Sequence, residues 1–202
     1  ASLNIRVNTL NNISVKEVVE ELKQSFNSCK DKIVETKLSK LGISLPRGTA
    51  IQKHKLFLDG SIEVQEEGSQ LLTYLLNAKR GNMVADFCAG AGGKTLGLSA
   101  MMKNTGRIYA FDISDKRLAN LKQRLKRSGA SNISMQRIHN ENDLKVKRLR
   151  NKFDRVLVDA PCTGLGTLRR NPDLKWRQTE NALNEMVVKQ LSILLAASKL
   201  CK

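Results

Sequence analysis

The sequence predicts an α/β protein: a doubly wound parallel sheet preceded by a small α+β unit. Three observations predict it. From about residue 69 onward, strand-like runs alternate with helical patterns of about 10 to 15 residues, the spacing that lays parallel strands side by side. A glycine-dense stretch, Asp86-Phe87-Cys88-Ala89-Gly90-Ala91-Gly92-Gly93-Lys94-Thr95, joins the first of those strands to a helix. Two later strand-like runs end on aspartates, Asp112 and Asp159, as expected where a sheet of this kind binds its ligand beyond the carboxyl ends of its strands.

Taken in order, Leu3 to Thr9 alternates apolar and polar residues like a strand, and Ser14-Val15-Lys16-Glu17 is a capping box that opens a helix with Val15, Val18, Val19, Leu22 and Phe26 along one face. Leu41 to Thr49 contains Gly42, Pro46 and Gly48 and reads as a connection, followed by a short strand near Ser61 to Val64. The domain division is placed at residue 60, giving units 1–60 and 61–202. The second unit reads as helix Ser69 to Ala78, strand Met83 to Phe87, the glycine loop, and a helix from Lys94. Strand Arg107 to Phe111, helix Asp115 to Ser128 closed by Gly129, and strand Ile133 to Ile138 come next. Strand Arg155 to Val158 and a long helix from Thr179 to Leu200 complete it. No internal repeat or low-complexity segment is present.

The chain has 202 residues with 35 Lys+Arg against 19 Asp+Glu, a net charge of +16 that argues for a polyanionic partner. The excess is local: residues 116 to 155 hold 13 cations and 3 anions, whereas Gly81 to Asp115 holds 3 of each. In Lys116 to Arg127, Leu118, Leu121 and Leu125 form an apolar stripe, leaving Lys116, Arg117, Lys122, Arg124, Lys126 and Arg127 largely off it. Lys145 to Lys152 is a second basic run, with little apolar periodicity. Both suit a phosphate backbone. No apolar run approaches the roughly 20 residues of a membrane span and no signal peptide opens the chain, so a cytoplasmic protein without a membrane partner is expected. Cys29, Cys88, Cys162 and Cys201 are far apart and only two histidines are present, so neither a metal site nor a disulfide framework is expected.

The glycine loop has two readings. Gly93-Lys94-Thr95 resembles the end of a Walker A loop, and Phe153 to Asp159 could serve as a magnesium-holding strand. A Walker A loop, however, needs glycine where Cys88 stands. The other reading is a nucleoside-bearing cofactor lying across the sheet. It gives Asp112 a function, because a carboxylate there can accept both ribose hydroxyl hydrogens. Glycines let the backbone N–H groups come against such a ligand at the positive end of the helix.

The last strand runs into Asp159-Ala160-Pro161-Cys162-Thr163-Gly164-Leu165-Gly166-Thr167, bringing a carboxylate and a thiol to the same edge of the sheet. The stretch Arg169 to Arg177 adds four cations and the only Trp, a mixture suited to phosphates and a stacked base, unless Trp176 merely anchors the loop in the core.

The pairing of Asp86 to Thr95 with Asp159 to Thr167, followed by Arg169-Arg170-Asn171-Pro172-Asp173-Leu174-Lys175-Trp176, resembles the S-adenosylmethionine-dependent RNA cytosine-C5 methyltransferases, the class of bacterial 16S ribosomal RNA (cytosine-C5) methyltransferase B. Ile5 to Leu10 and Asp59 to Gln70 extend the likeness over essentially the whole chain. The resemblance implies a Rossmann-like methyltransferase sheet with a small N-terminal RNA-binding subdomain, a monomer acting on RNA, and S-adenosyl-L-methionine as cofactor. It implies that Cys88, Ala89, Gly90, Ala91, Gly92, Gly93 and Lys94 hold the methionine end of the cofactor. Asp112 would hold its ribose and Asn140 its adenine, with Asn142 and Asp143 as competitors for that role. It places Asp159 between cofactor and target base and makes Cys162 the assisting cysteine that helps resolve a covalent enzyme–RNA adduct. Ala91 stands where the family usually has proline.

Carbon 5 of cytosine becomes nucleophilic only when a thiolate adds to carbon 6; the enamine then takes the methyl group and a base removes the C5 proton. In the family the attacking thiol follows the next strand of the sheet. This chain stops at Cys201-Lys202, so the sheet is expected to be incomplete at its C-terminal edge, with Val156 to Val158 as an edge strand, and the piece alone is expected to bind cofactor weakly or not at all and to show no turnover. The competing expectations are a non-catalytic RNA-binding fragment, whose RNA affinity would fall on neutralising Lys122, Arg124 and Arg127, and a P-loop NTPase.

Overall fold

The computed structural model describes residues 2–169 and 171–202, together with the backbone but not the side chain of Arg177. Two four-stranded sheets organise it, one antiparallel and one parallel.

The antiparallel sheet contains β1 (Leu3–Val7), β2 (Val34–Glu35), β3 (Gly42–Leu45) and β4 (Ile62–Val64) in the order β2-β3-β1-β4. Helix α1 (Val15–Ser25) packs on it, as the capping box and apolar stripe predict. The Glu17 N–H donates to Ser14 Oγ and the Glu17 carboxylate accepts from the Ser14 N–H at 2.7 Å. Val18 and Leu22 are buried against Ile5, Val7, Ile43 and Ile62, burial that drives the docking of the helix. One expectation is corrected and one strand forms as expected. Leu41 to Thr49 is not simply a connection, because Gly42–Leu45 forms β3 and pairs along β1, with Ile5 opposite Ile43. The strand near Ser61 to Val64 forms but pairs with β1, Arg6 opposite Glu63, so it belongs to the first sheet although it lies beyond residue 60.

The short helix α2 (Lys55–Leu58) precedes β4, and α3 (Glu67–Leu76) follows it. The parallel sheet then runs β5 (Met83–Asp86), α4 (Gly93–Met101), β6 (Arg107–Asp112), α5 (Asp115–Ser128), β7 (Ile133–Arg137), α6 (Leu144–Lys147) and β8 (Arg155–Leu157). Its order is β7-β6-β5-β8, which puts β8 at an edge. Alternate residues face opposite layers, the period of a strand buried on both faces. Val84, Ile108 and Leu157 pack with Leu98 of α4 and with Met102, which caps that helix, while Ala85 and Phe111 pack with Ile193 and Ala197 on the other side. Those last two belong to α8 (Glu180–Ser198), preceded by α7 (Leu174–Arg177). Residues Leu183, Val187, Leu191, Leu194 and Leu195 of α8 are half exposed; its buried positions are Ile193 and Ala197. Before β8, Phe153 forms an isolated parallel bridge with Cys201.

The two sheets meet at the end of α5. Asn8 Nδ2 donates to the carbonyls of Gly60 and Ser128 at 2.9 and 2.8 Å, joining β1 to α5 through buried hydrogen bonds.

Candidate active site

Three strand ends and one helix start build the site. The glycine loop leaves β5 at Asp86, and its backbone is fixed from two sides. The Ala89 N–H donates to the Phe111 carbonyl at 2.9 Å, and the Gly90 N–H donates to Asp112 Oδ2 at 2.8 Å. The other oxygen of Asp112 accepts from the Ser114 N–H at 2.8 Å, so the carboxylate at the end of β6 is oriented before any ligand arrives. Gly90 and Gly92 have φ of +57° and +81°, values that favour glycine, and Gly92 caps α4. The loop thereby delivers Lys94 in the first turn of that helix, whose Nζ meets Asp159 Oδ2 at 2.5 Å.

Burial separates the titratable groups. Asp86 is buried; Thr95 Oγ1 donates to its Oδ2 at 2.6 Å, and its Oδ1 has no hydrogen-bond partner among the described residues. Desolvation pushes its carboxyl up to about 6, against the opposing pull of the Thr95 hydrogen bond and Lys94. Burial, reinforced by the charges of Asp112, Asp86 and Asp159, pushes the Cys88 thiol up to about 12. Cys162, in contrast, is exposed.

Cys88, Gly90, Asp112, Asn140, Asp159 and Cys162 line one cavity of about 560 Å³ at the carboxyl ends of the strands. A smaller recess of about 270 Å³ is lined by Ala89, Ala91, Gly93 and Lys94 together with Asp86, Cys88, Gly90 and Asp159. Gly92 lines neither; its role is the turn. Of the three candidates after β7, only Asn140 borders the cavity. Asn142 donates its N–H to Asn140 Oδ1. Asp143 is occupied as the cap of α6, accepting from the N–H groups of His139 and Lys145, which hold its carboxyl well below the usual range.

The sequence reading missed Asp86 as a site residue, although it ends β5 as Asp112 ends β6, and that shared position was the available signal. It also missed His139, Glu141 and Lys189, which line the larger cavity from segments with no motif around them.

Around the site the basic groups divide. Lys116, Lys122 and Lys126 are exposed, but Arg124 and Arg127 are not free surface cations: both are paired with the buried Glu63, at 2.8 and 2.7 Å. The expectation that these two arginines belong to an open RNA-binding face is therefore corrected. Trp176 is 79% exposed with Lys175 Nζ 4.5 Å from its ring centroid, so it does not anchor the loop in the core. Arg170 and the side chain of Arg177, two of the four cations of that segment, lie outside the described residues. Among the described residues no group of acids, cysteines and histidines could hold a metal, and no helix is long and apolar enough to cross a membrane.

Residues 73–202 match the family model described as 16S rRNA methyltransferase RsmB/F. The chain is 35% identical over 207 aligned positions to the "Probable ribosomal RNA small subunit methyltransferase B" of Synechocystis sp., an alignment covering 100% of this chain and 44% of that protein. It is 32% identical over 170 positions to the 25S rRNA (cytosine-C(5))-methyltransferase NSUN5 of Arabidopsis thaliana, covering 81% of this chain and 28% of the relative. The crystal structure of PH0851 superposes with a TM-score of 0.91 at 35% identity, over 100% of this chain and 44% of that one. The chain thus spans less than half the length of these relatives. With the family model covering the whole parallel sheet and its strand-end carboxylates, the chain belongs to the 16S rRNA methyltransferase RsmB/F family.

Proposed function

We propose that this chain serves the transfer of a methyl group from S-adenosyl-L-methionine to carbon 5 of a cytosine in RNA, with ribosomal RNA as the substrate class. The observation that carries the reading is the single cavity in which the glycine loop, Asp112, Asn140, Asp159 and an exposed thiol, Cys162, come together. The residues fit the cofactor: Asp112 is a preoriented acceptor for ribose hydroxyls, and the buried Asp86 Oδ1 meets no competing donor among the described residues. Asn140 borders the far end for the adenine, and Cys88 to Lys94 surround the methionine end.

When bound, the cofactor supplies an electrophilic methyl group on sulfur. The protein supplies position and proton handling. Lys94 holds Asp159 by charge and hydrogen bond, so that this carboxylate stands at a fixed place between the cofactor recess and Cys162. Cys162 is the assisting cysteine. As the thiolate it takes the C5 proton, the electron pair of that C–H bond re-forms the C5–C6 double bond, and the carbon–sulfur bond at C6 breaks to release the attacking thiolate. Burial pushes the Cys88 thiol up to about 12, which disfavours its thiolate and argues against it as the nucleophile. The antiparallel sheet with α1, counted with β4 as its fourth strand, is the RNA-holding subdomain, and the protein works as a cytoplasmic monomer.

Calorimetric titration with S-adenosylmethionine tests the cofactor. One binding site is expected, weakened at least tenfold in Asp112→Ala, with no heat from ATP. Binding of ATP with magnesium and none of S-adenosylmethionine would overturn the reading in favour of the NTPase.

A further inference from the structure

We propose that a cleft beside the antiparallel sheet is the subsite for the RNA backbone next to the reacting cytosine, with Arg47 and Arg169 as its phosphate contacts. The proposal rests on the reading of the chain as an RNA methyltransferase and adds to it a place and a mode of binding for the flanking nucleotides.

The cleft, of about 560 Å³, lies between the turn that follows β3 and the ends of β1 and β4, and Arg169 closes one side. Arg47 and Arg169 come from segments far apart in sequence, yet both are exposed at this one opening. Among the described residues neither guanidinium is paired with an acid, in contrast to Arg124 and Arg127, whose charges Glu63 neutralises. Among the described residues the charged lining is thus Arg47, Arg169 and the carboxylate of Glu66. The rest of the wall mixes apolar and polar groups: Leu3, Ala50, Ile51 and Val64 contribute beside Ser2 and Gln52, and the Thr49 hydroxyl is turned inward onto the Pro46 carbonyl at 2.8 Å. Such a wall offers cations to phosphates and few fixed groups to base edges. It positions a strand without reading its sequence.

Continuity with the reaction site gives the cleft its direction. Val64 and Glu66 line both the cleft and the recess that holds Lys94 and Asp159, and Asp159, Cys88 and Gly90 line both that recess and the larger cavity with Cys162. The three hollows therefore adjoin in a row from Arg47, past the cofactor recess, to Cys162. With a cytosine seated beside Cys162, flanking nucleotides that pass over this row reach the cleft, where arginines recognise phosphate by paired N–H donors.

Fluorescence anisotropy of a labelled single-stranded RNA oligonucleotide, titrated at several salt concentrations, tests the proposal. Wild type, Arg47→Gln, Arg169→Gln and the double variant are compared with Lys103→Gln, which removes an exposed cation remote from the cleft. Each cleft variant is expected to weaken RNA binding several-fold and to reduce the slope of log affinity against log salt by about 0.7, the contribution of one single-strand phosphate. The loss should be the same for a scrambled oligonucleotide, and S-adenosylmethionine affinity should stay within about twofold of wild type. Retention of wild-type RNA affinity and salt slope by the double variant would overturn the subsite while leaving the methyltransferase reading intact. A wild-type chain with no RNA affinity would overturn both. Equal losses in Lys103→Gln would also overturn the subsite, since the effect would then be net charge alone.

Discussion

Glu63 and Arg124 form a two-bond ion pair across the junction of the two sheets, with Nε and Nη2 of the arginine donating to one carboxylate oxygen at 3.0 and 2.8 Å. The third donor of Arg124, Nη1, reaches the Ala91 carbonyl in the cofactor loop at 2.9 Å. One guanidinium thus ties strand β4, helix α5 and the glycine loop together. The second oxygen of Glu63 accepts from Arg127, whose guanidinium lies 3.9 Å from the centroid of the Phe57 ring. Arg6, also buried, faces the same carboxylate; desolvation lowers its guanidinium to about 10, and the charge of Glu63 opposes that shift.

Removal of Glu63 leaves three cations around a buried site without their counter-charge. Breaking a buried pair on one side costs about 3–5 kcal/mol, because the remaining charges stay desolvated. Glu63→Ala is expected to lower the unfolding free energy by that amount, read as a lower urea midpoint with the slope of the transition unchanged. A loss below about 1 kcal/mol would mean that the Asn8 bonds to Gly60 and Ser128 hold the junction without the ion pair.

Asp86 makes stability depend on pH in the direction opposite to most carboxylates. Its carboxyl is raised from 3.8 to about 6 in the folded chain. Between those values the folded state binds more protons than the unfolded one, so stability falls as pH rises through this window and is level above it. At about 1.36 kcal/mol per unit the loss is on the order of 3 kcal/mol. The check is the difference in unfolding free energy between Asp86→Asn and wild type, measured at pH values of about 4 and about 7. The variant should gain on wild type by up to that amount across the interval. A pH-independent difference would show that Asp86 is ionised at both ends.

The two thiols at the site should react very differently. Cys88 is partly buried with its thiol at about 12, while Cys162 is exposed on the loop after β8. The thiolate is the reactive form, and near pH 8 the raised pKa alone cuts its population about a thousandfold relative to an ordinary cysteine. Iodoacetamide followed by mass spectrometry should label Cys162 and Cys201 early and Cys88 last. Early modification of Cys88 would require the glycine loop to open in solution.

Legibility in the sequence followed the range of the interactions. Helix α5 was readable to its ends, because the leucine stripe and the closing Gly129 are local signals and each does in the fold what its type suggests. Strand β3 was not, since Gly42 and Pro46 resemble a connection and the pairing that makes 42–45 a strand comes from β1, far away in the chain. Asp112 and Asp159 stood out by position and Asp86 did not, and nothing in the sequence distinguishes the hydrogen-bonded Asp112 from Asp86 with its unpartnered oxygen. The same holds for charge: Arg124 and Lys122 are equivalent cations in a basic run until Glu63, from far earlier in the chain, is folded against one of them.

Gly92 is the position where the cofactor loop tolerates least change. Its φ of +81° costs about 1–2 kcal/mol for a residue with a Cβ, and that Cβ would lie 2.1 Å from Leu121 Cδ1 in the buried stripe of α5. Leu121 is fully buried, so moving it adds an overpacking cost of about 1–3 kcal/mol. Gly92→Ala should therefore lose about 2–5 kcal/mol in denaturant titration and weaken cofactor binding, since the displaced loop carries Gly90 and Lys94. Gly68→Ala is the matched control: it sits in α3 with no atom within 4 Å of an added Cβ and should gain up to about 1 kcal/mol. If both substitutions were neutral, the loop would adopt a different path in solution, and the hydrogen bond from Gly90 to Asp112 could not be what orients that carboxylate.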